Sequence, residues 1–109
     1  MDIVEYDQIE IGQIDGKKVL LTNHAIERLK ERLSKLDRGQ TPKKPGKTAI
    51  RLWKQTTEEN LDPIIKVKRL INNNGRDARY FSFNGWRFVL VEYEDCFKVK
   101  TIERNYYAA

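Results

Sequence analysis

A chain of 109 residues with 39% hydrophobic and 34% charged residues can build one core and reads as a single domain, residues 1–109, rather than as a disordered segment. Its longest apolar runs span only a few residues, which excludes a transmembrane helix. One cysteine, Cys96, and one histidine, His24, exclude an internal disulfide and a Cys/His zinc site. The net charge of +5 is unevenly spread: −5 over residues 1–16, +9 over 17–54 and +1 over the remainder. A cationic middle third points to phosphate or another polyanion as partner, the plain alternative being a solvated basic surface with none.

Residues 1–16 alternate loosely around Ile3, Ile9 and Ile11 and read as an acidic arm or an edge strand. Asp15-Gly16 is a hairpin-type turn signal, and Lys18–Leu21 reads as a short strand. A helix follows from Thr22 or Asn23, either of which can cap it. Ala25, Ile26, Leu29, Leu33 and Leu36 make its apolar stripe, with His24, Arg28 and Arg32 directly beside that stripe. Residues 37–48, with prolines, glycines and Arg38, Lys43, Lys44 and Lys47, read as a basic surface loop. "TAIRLWKQ" reads as a short helix burying Ile50 and Trp53. "LDPIIKVKRLINNNG" reads as a stronger one, capped by Asp62, with Pro63 in its first turn and Asn73-Asn74-Gly75 at its end.

The last third changes period. "RYFSF" and "WRFVLVEY" flank Asn84-Gly85, the strongest short-range hairpin signal, and "FKVKTIER" follows the turn "EDC" as a third strand. The expected fold class is therefore α+β: an N-terminal strand, two or three helices, then a three-stranded antiparallel meander, with the helices packed on one sheet face. Simple alternation places Lys98, Lys100 and Arg104 on one face of the last strand, and Thr101 on the other with Phe97 and Val99. Trp53 and Trp86 are read as core residues, and the tyrosine pair Tyr106-Tyr107 as open to base stacking.

The motif inventory excludes much. There is no HExxH, no Walker lysine loop, no GxGxxG and no nucleophile elbow, so no metal and no cofactor is expected. What the residues do allow is RNA cleavage without metal. Attack of a ribose 2′-OH on the adjacent phosphate needs a base, an acid for the departing oxygen, and cations around the phosphorane. Histidine is the residue type suited to proton transfer near neutral pH, and His24 is the candidate for the proton step. Arg28 and Arg32, four and eight residues on, offer planar forks for phosphate. Arg87, Lys98, Lys100 and Arg104 on the sheet complete the expected cationic cleft. The bland alternative is an exposed helix face, on which Glu27 and Glu31 pair with their basic neighbours.

The string "TNHAIERLKERL", followed by helices and a meander ending in "FKVKTIER", resembles the RelE/ParE-like toxin superfamily. The likeness is greatest to a branch whose helix begins H-A-x-x-R-x-x-x-R and whose last strand carries V-x-T. His24, Ala25, Arg28 and Arg32 match the first pattern, and Val99 and Thr101 the second. The resemblance covers roughly residues 18–104 in element order. It implies a fold like that of barnase-type and colicin-type ribonucleases and, for many members, metal-independent cleavage of tRNA or ribosome-bound RNA. Other members target gyrase, and some have lost catalysis. The acidic segment 1–16, the long loop 37–48 and the acidic residues Glu92, Glu94, Asp95 and Glu103 depart from that pattern.

Two functions are expected from these observations. One is a toxin-type cytoplasmic ribonuclease with His24 as general acid or base, Arg28 and Arg32 on the phosphate and Arg87 on transition-state charge, covered by an antitoxin when silent. The other is a non-catalytic protein of viral or plasmid type that grips nucleic acid or a host protein through Lys43, Lys44, Lys47 and their neighbours, with no membrane involved.

Overall fold

Both dipeptides with hairpin chemistry adopt the backbone that chemistry favours. Asp15 and Gly16 have φ of 52° and 79°, and Asn84 and Gly85 have φ of 49° and 86°, the left-handed pair that lets a two-residue turn match the twist of its strands. The computed structural model describes residues 9–36, 44–59, 63–64, 67–68 and 78–104. In chain order the elements are β1 (Ile9–Ile14), β2 (Lys17–Leu21), α1 (Asn23–Leu36), α2 (Pro45–Gln55), β3 (Thr57–Glu59), β4 (Ala78–Phe83), β5 (Trp86–Glu92) and β6 (Cys96–Arg104).

The six strands form one sheet in the order β1-β2-β6-β5-β4-β3. β2 runs parallel to β6, and every other neighbouring pair is antiparallel. This corrects the expected architecture of one strand and a three-stranded meander. The meander β4-β5-β6 exists, but β2 joins its β6 edge through a parallel pairing, β1 extends it as an edge strand, and β3 closes the other edge. The parallel pairing links Val19 to Phe97 and Leu21 to Val99, a contact between chain ends that no local pattern announces. β3 is the tripeptide Thr-Glu-Glu, with no apolar alternation to mark it.

Helix boundaries also move. α2 begins at Pro45, inside the segment read as loop 37–48, because proline at the first helical position is pre-set in φ and lacks the N–H that would go unpaired there. Residues 37–43 lie outside the described residues. So does most of the helix read over 62–75, of which 63–64 and 67–68 are helical.

α1 and α2 cover one face of the sheet. Ala25, Ile26 and Leu29 of α1 and Ala49 of α2 pack with Val19, Leu21, Trp86, Phe88, Leu90, Phe97, Val99 and Ile102 in the central cluster. Each fully buried large side chain there contributes about 1.5–3 kcal/mol. Trp53 lies at that cluster's edge, its ring 5.0 Å from Phe81 and 5.6 Å from Phe88. Thr22 joins α1 to the sheet: its Oγ1 donates to the Val99 carbonyl at 2.6 Å and accepts the Ala25 N–H at 3.2 Å. On the same face, Arg79 of β4 holds Glu58 through two nitrogens and donates to Asp15 in the β1–β2 turn at 2.6 Å. Opposite ends of the strand order are thereby brought together, and the two carboxylates hold the guanidinium well above its ordinary pKa.

Candidate polyanion interface

His24, Arg28 and Arg32 do share one face of α1, as their spacing requires. His24 is exposed, and Arg28 Nε donates to its Nε2 at 3.5 Å. The two arginines, however, share a carboxylate on their own helix. Arg28 Nη1 lies 3.1 Å from Glu31 Oε2, and Arg32 Nη1 lies 3.9 Å from the same atom. Arg32 Nη1 also donates to the Arg28 carbonyl at 3.4 Å, and Lys30 pairs with Glu27 at 3.6 Å. Such pairs are each worth only a few tenths of a kcal/mol, but they lower the free positive charge of α1.

Arg87 does not join this stripe. It lies on β5 between Trp86 and Phe88, both of which face the helices, so its own side chain projects from the opposite face of the sheet. There its Nε meets Glu59 Oε1 and its Nη1 lies 3.5 Å from Glu103 Oε2. Ser82 Oγ donates to the other Glu59 oxygen at 2.9 Å. Two carboxylates engage one guanidinium, beside the buried Tyr80, Val89 and Val91. This is a structural ion cluster, and a six-stranded sheet separates it from His24.

The strand cations are divided as well. The β5–β6 register runs Val89↔Thr101 and then Leu90↔Val99, which leaves Lys100 as the extra residue of a bulge. Alternation slips by one at that point. Lys98 keeps its place on the face away from Phe97 and Val99, but Thr101 joins it on that outer face and Arg104 lies on the helix face beside its cross-strand partner Trp86, the reverse of the simple alternation for those two residues. Lys98 Nζ stands 5.2 Å above the Tyr93 ring. Arg104 stacks 5.1 Å above Trp86 and donates to the Asn84 carbonyl. Neither is a free phosphate ligand.

α2 carries what remains. Lys44 and Lys47 were legible as basic residues; Lys43 lies outside the described residues. Because the helix begins at Pro45, Arg51 and Lys54 fall in line with them at spacings of three, four and three residues, all four exposed. The opposite side of α2 is anchored by buried Ala49 and by Ile50 and Trp53. No acidic residue interrupts the helix, and among the described residues none of the four cations has an ion-pair partner. The row extends over about 15 Å at the α-helical rise. Arg51 and Lys54 are not among the cations expected from the sequence, where the apolar spacing of Ile50 and Trp53 dominates that stretch. The three-and-four spacing of basic residues from position 44 was the signal.

Among the described residues no group of three or more His, Cys, Asp or Glu is placed to hold a metal ion, and no helix is long and apolar enough to cross a membrane. Cys96 is buried, and burial with Asp95 alongside raises its thiol pKa above the ordinary range. Neither a family model, nor a curated protein, nor a solved structure matches the chain.

Proposed function

We propose that this protein binds nucleic acid through its phosphate backbone, with Lys44, Lys47, Arg51 and Lys54 of α2 as the contact row. One observation supports this reading above the others: four exposed cations on one rigid helix face without an ion-pair partner among the described residues. Unpaired cations at that density release condensed counterions when they meet phosphates, which is the main source of backbone affinity. The test is fluorescence anisotropy with a labelled nucleic acid of mixed sequence, at 50 mM salt. Saturable binding by the wild type, lost when the four residues become glutamine, supports the proposal. Binding that survives the four substitutions refutes it.

A second reading, the metal-independent ribonuclease suggested by resemblance to RelE-like toxins, draws on the contact between Arg28 Nε and His24 Nε2. In that reading the site consists of His24, Arg28 and Arg32 alone, since Arg87 faces away. Incubation with tRNA and with translating ribosomes in chelator, beside His24→Ala, tests it. RNA ends carrying 2′,3′-cyclic phosphate from the wild type and not from the variant support catalysis; uncleaved RNA rejects it.

A further inference from the structure

We infer that the nucleic acid held by α2 is a duplex, gripped along its backbone; this rests on the backbone-binding proposal above. Three observations lead there. First, the row offers charge and almost nothing else. The aromatic residue of α2, Trp53, is turned into the core against Phe81 and Phe88, and among the described residues no aromatic side chain is more than partly exposed. A single strand gains most of its non-electrostatic affinity from bases stacked on aromatic rings, about 1–3 kcal/mol per base. α2 provides no such platform. Gln55, the remaining exposed polar side chain of the helix, donates one amide N–H to the Arg51 carbonyl.

Second, the row is straight and rigid. Ala49, Ile50, Leu52 and Trp53 hold α2 on the sheet, so the four cations keep one line about 15 Å long. A duplex presents a charge about every 1.7 Å of its axis with the phosphates already ordered, whereas a single strand carries about one per 3.4 Å. Straightening a flexible strand along the row also costs entropy that a duplex does not lose. Third, Glu27 and Glu31 engage Arg28, Lys30 and Arg32 of α1, so the proposed footprint is the row of four cations on α2.

The footprint sets the expected numbers. With one phosphate per cation, log K falls against log salt with a slope near −3.6 for a duplex and near −2.8 for a single strand. Duplex affinity then drops about 150-fold between 50 and 200 mM salt, and with equal affinities at 1 M salt the duplex is favoured about sixfold at 0.1 M.

The experiment measures anisotropy of a labelled mixed-sequence duplex, run as RNA and as DNA, and of one of its strands alone, from 50 to 200 mM salt. The wild type is compared with Lys44→Gln/Lys47→Gln/Arg51→Gln/Lys54→Gln, whose fold is checked by circular dichroism and melting. Tighter binding of either duplex than of the strand, with a slope near −3.6 that the substitutions abolish, is the expected result. Equal or tighter binding of the single strand, again lost in the variant, overturns the duplex inference and leaves backbone binding by α2 standing. No binding by the wild type at 50 mM salt, or a variant that binds like the wild type, overturns both.

Discussion

Gly12 is the position where one methyl group tests how α2 sits on the sheet. An alanine Cβ at residue 12 falls 2.5 Å from Trp53 Nε1 and 3.4 Å from Cδ1 and Cε2. Ordinary contact between such atoms needs about 3.5 Å, so the indole must withdraw by about 1 Å. It has little room to do so, with Phe81 at 5.0 Å and Phe88 at 5.6 Å between ring centroids. Overpacking of this kind costs about 1–3 kcal/mol. Gly12 does not have a positive φ, so alanine also recovers about 0.4–1 kcal/mol by restricting the unfolded chain. The net expectation is a loss of about 1–2 kcal/mol, which lowers Tm by roughly 5–15 °C for a chain of this length. Urea and thermal unfolding followed by circular dichroism measure it. In a Trp53→Phe background the indole nitrogen is gone, and Gly12→Ala should cost about 1 kcal/mol less there. A Gly12→Ala protein as stable as the wild type, or one with the same loss in both backgrounds, would refute the packing of Trp53 over β1.

Arg87→Met should lower stability by about 1–2 kcal/mol, because Glu59 and Glu103 lose their shared partner on a partly buried face; nucleic-acid binding should stay at the wild-type level, and a loss of binding with intact stability would return Arg87 to the site. Thr22→Val should cost about 1–2 kcal/mol in urea unfolding, since one hydroxyl both caps α1 and bonds the Val99 carbonyl; an unchanged midpoint would reject that joint. Cys96, with a folded-state thiol pKa raised by burial, should leave stability unaffected up to about pH 7.5, about a unit below the unfolded thiol's pKa of about 8.5. Above that pH the unfolded chain loses a proton that the folded chain retains, so stability falls as pH rises, and Cys96→Ala should remove that component of the slope. Equal alkaline slopes in the two proteins would count against a buried, neutral thiol.

Much of the candidate site was legible only in part. The basic excess of the middle third and the cations Lys44 and Lys47 could be read directly, because charge is a property of composition. Their alignment with Arg51 and Lys54 depended on where α2 starts, a matter of one proline at the first helical position. Arg87 illustrates the opposite case. Its residue type suits phosphate chemistry, but the pleat sends it to the face away from α1, where Glu59 and Glu103 engage it.

The sequence by itself determined the features that depend on a few neighbouring residues. The two hairpins follow from Asp15-Gly16 and Asn84-Gly85, which tolerate positive φ. The buried stripe of α1 follows from apolar spacing, as does the inward turn of Trp53 and Trp86. Tertiary structure alone decided the parallel pairing of β2 with β6, the three-residue edge strand β3 and the bulge at Lys100 that exchanges the faces of Thr101 and Arg104. Backbone dihedral preferences and periodicity act over a turn or two of chain. Strand partners and register are chosen by the burial of the whole sheet under two helices, and a one-residue shift in that choice reverses which side chains meet solvent.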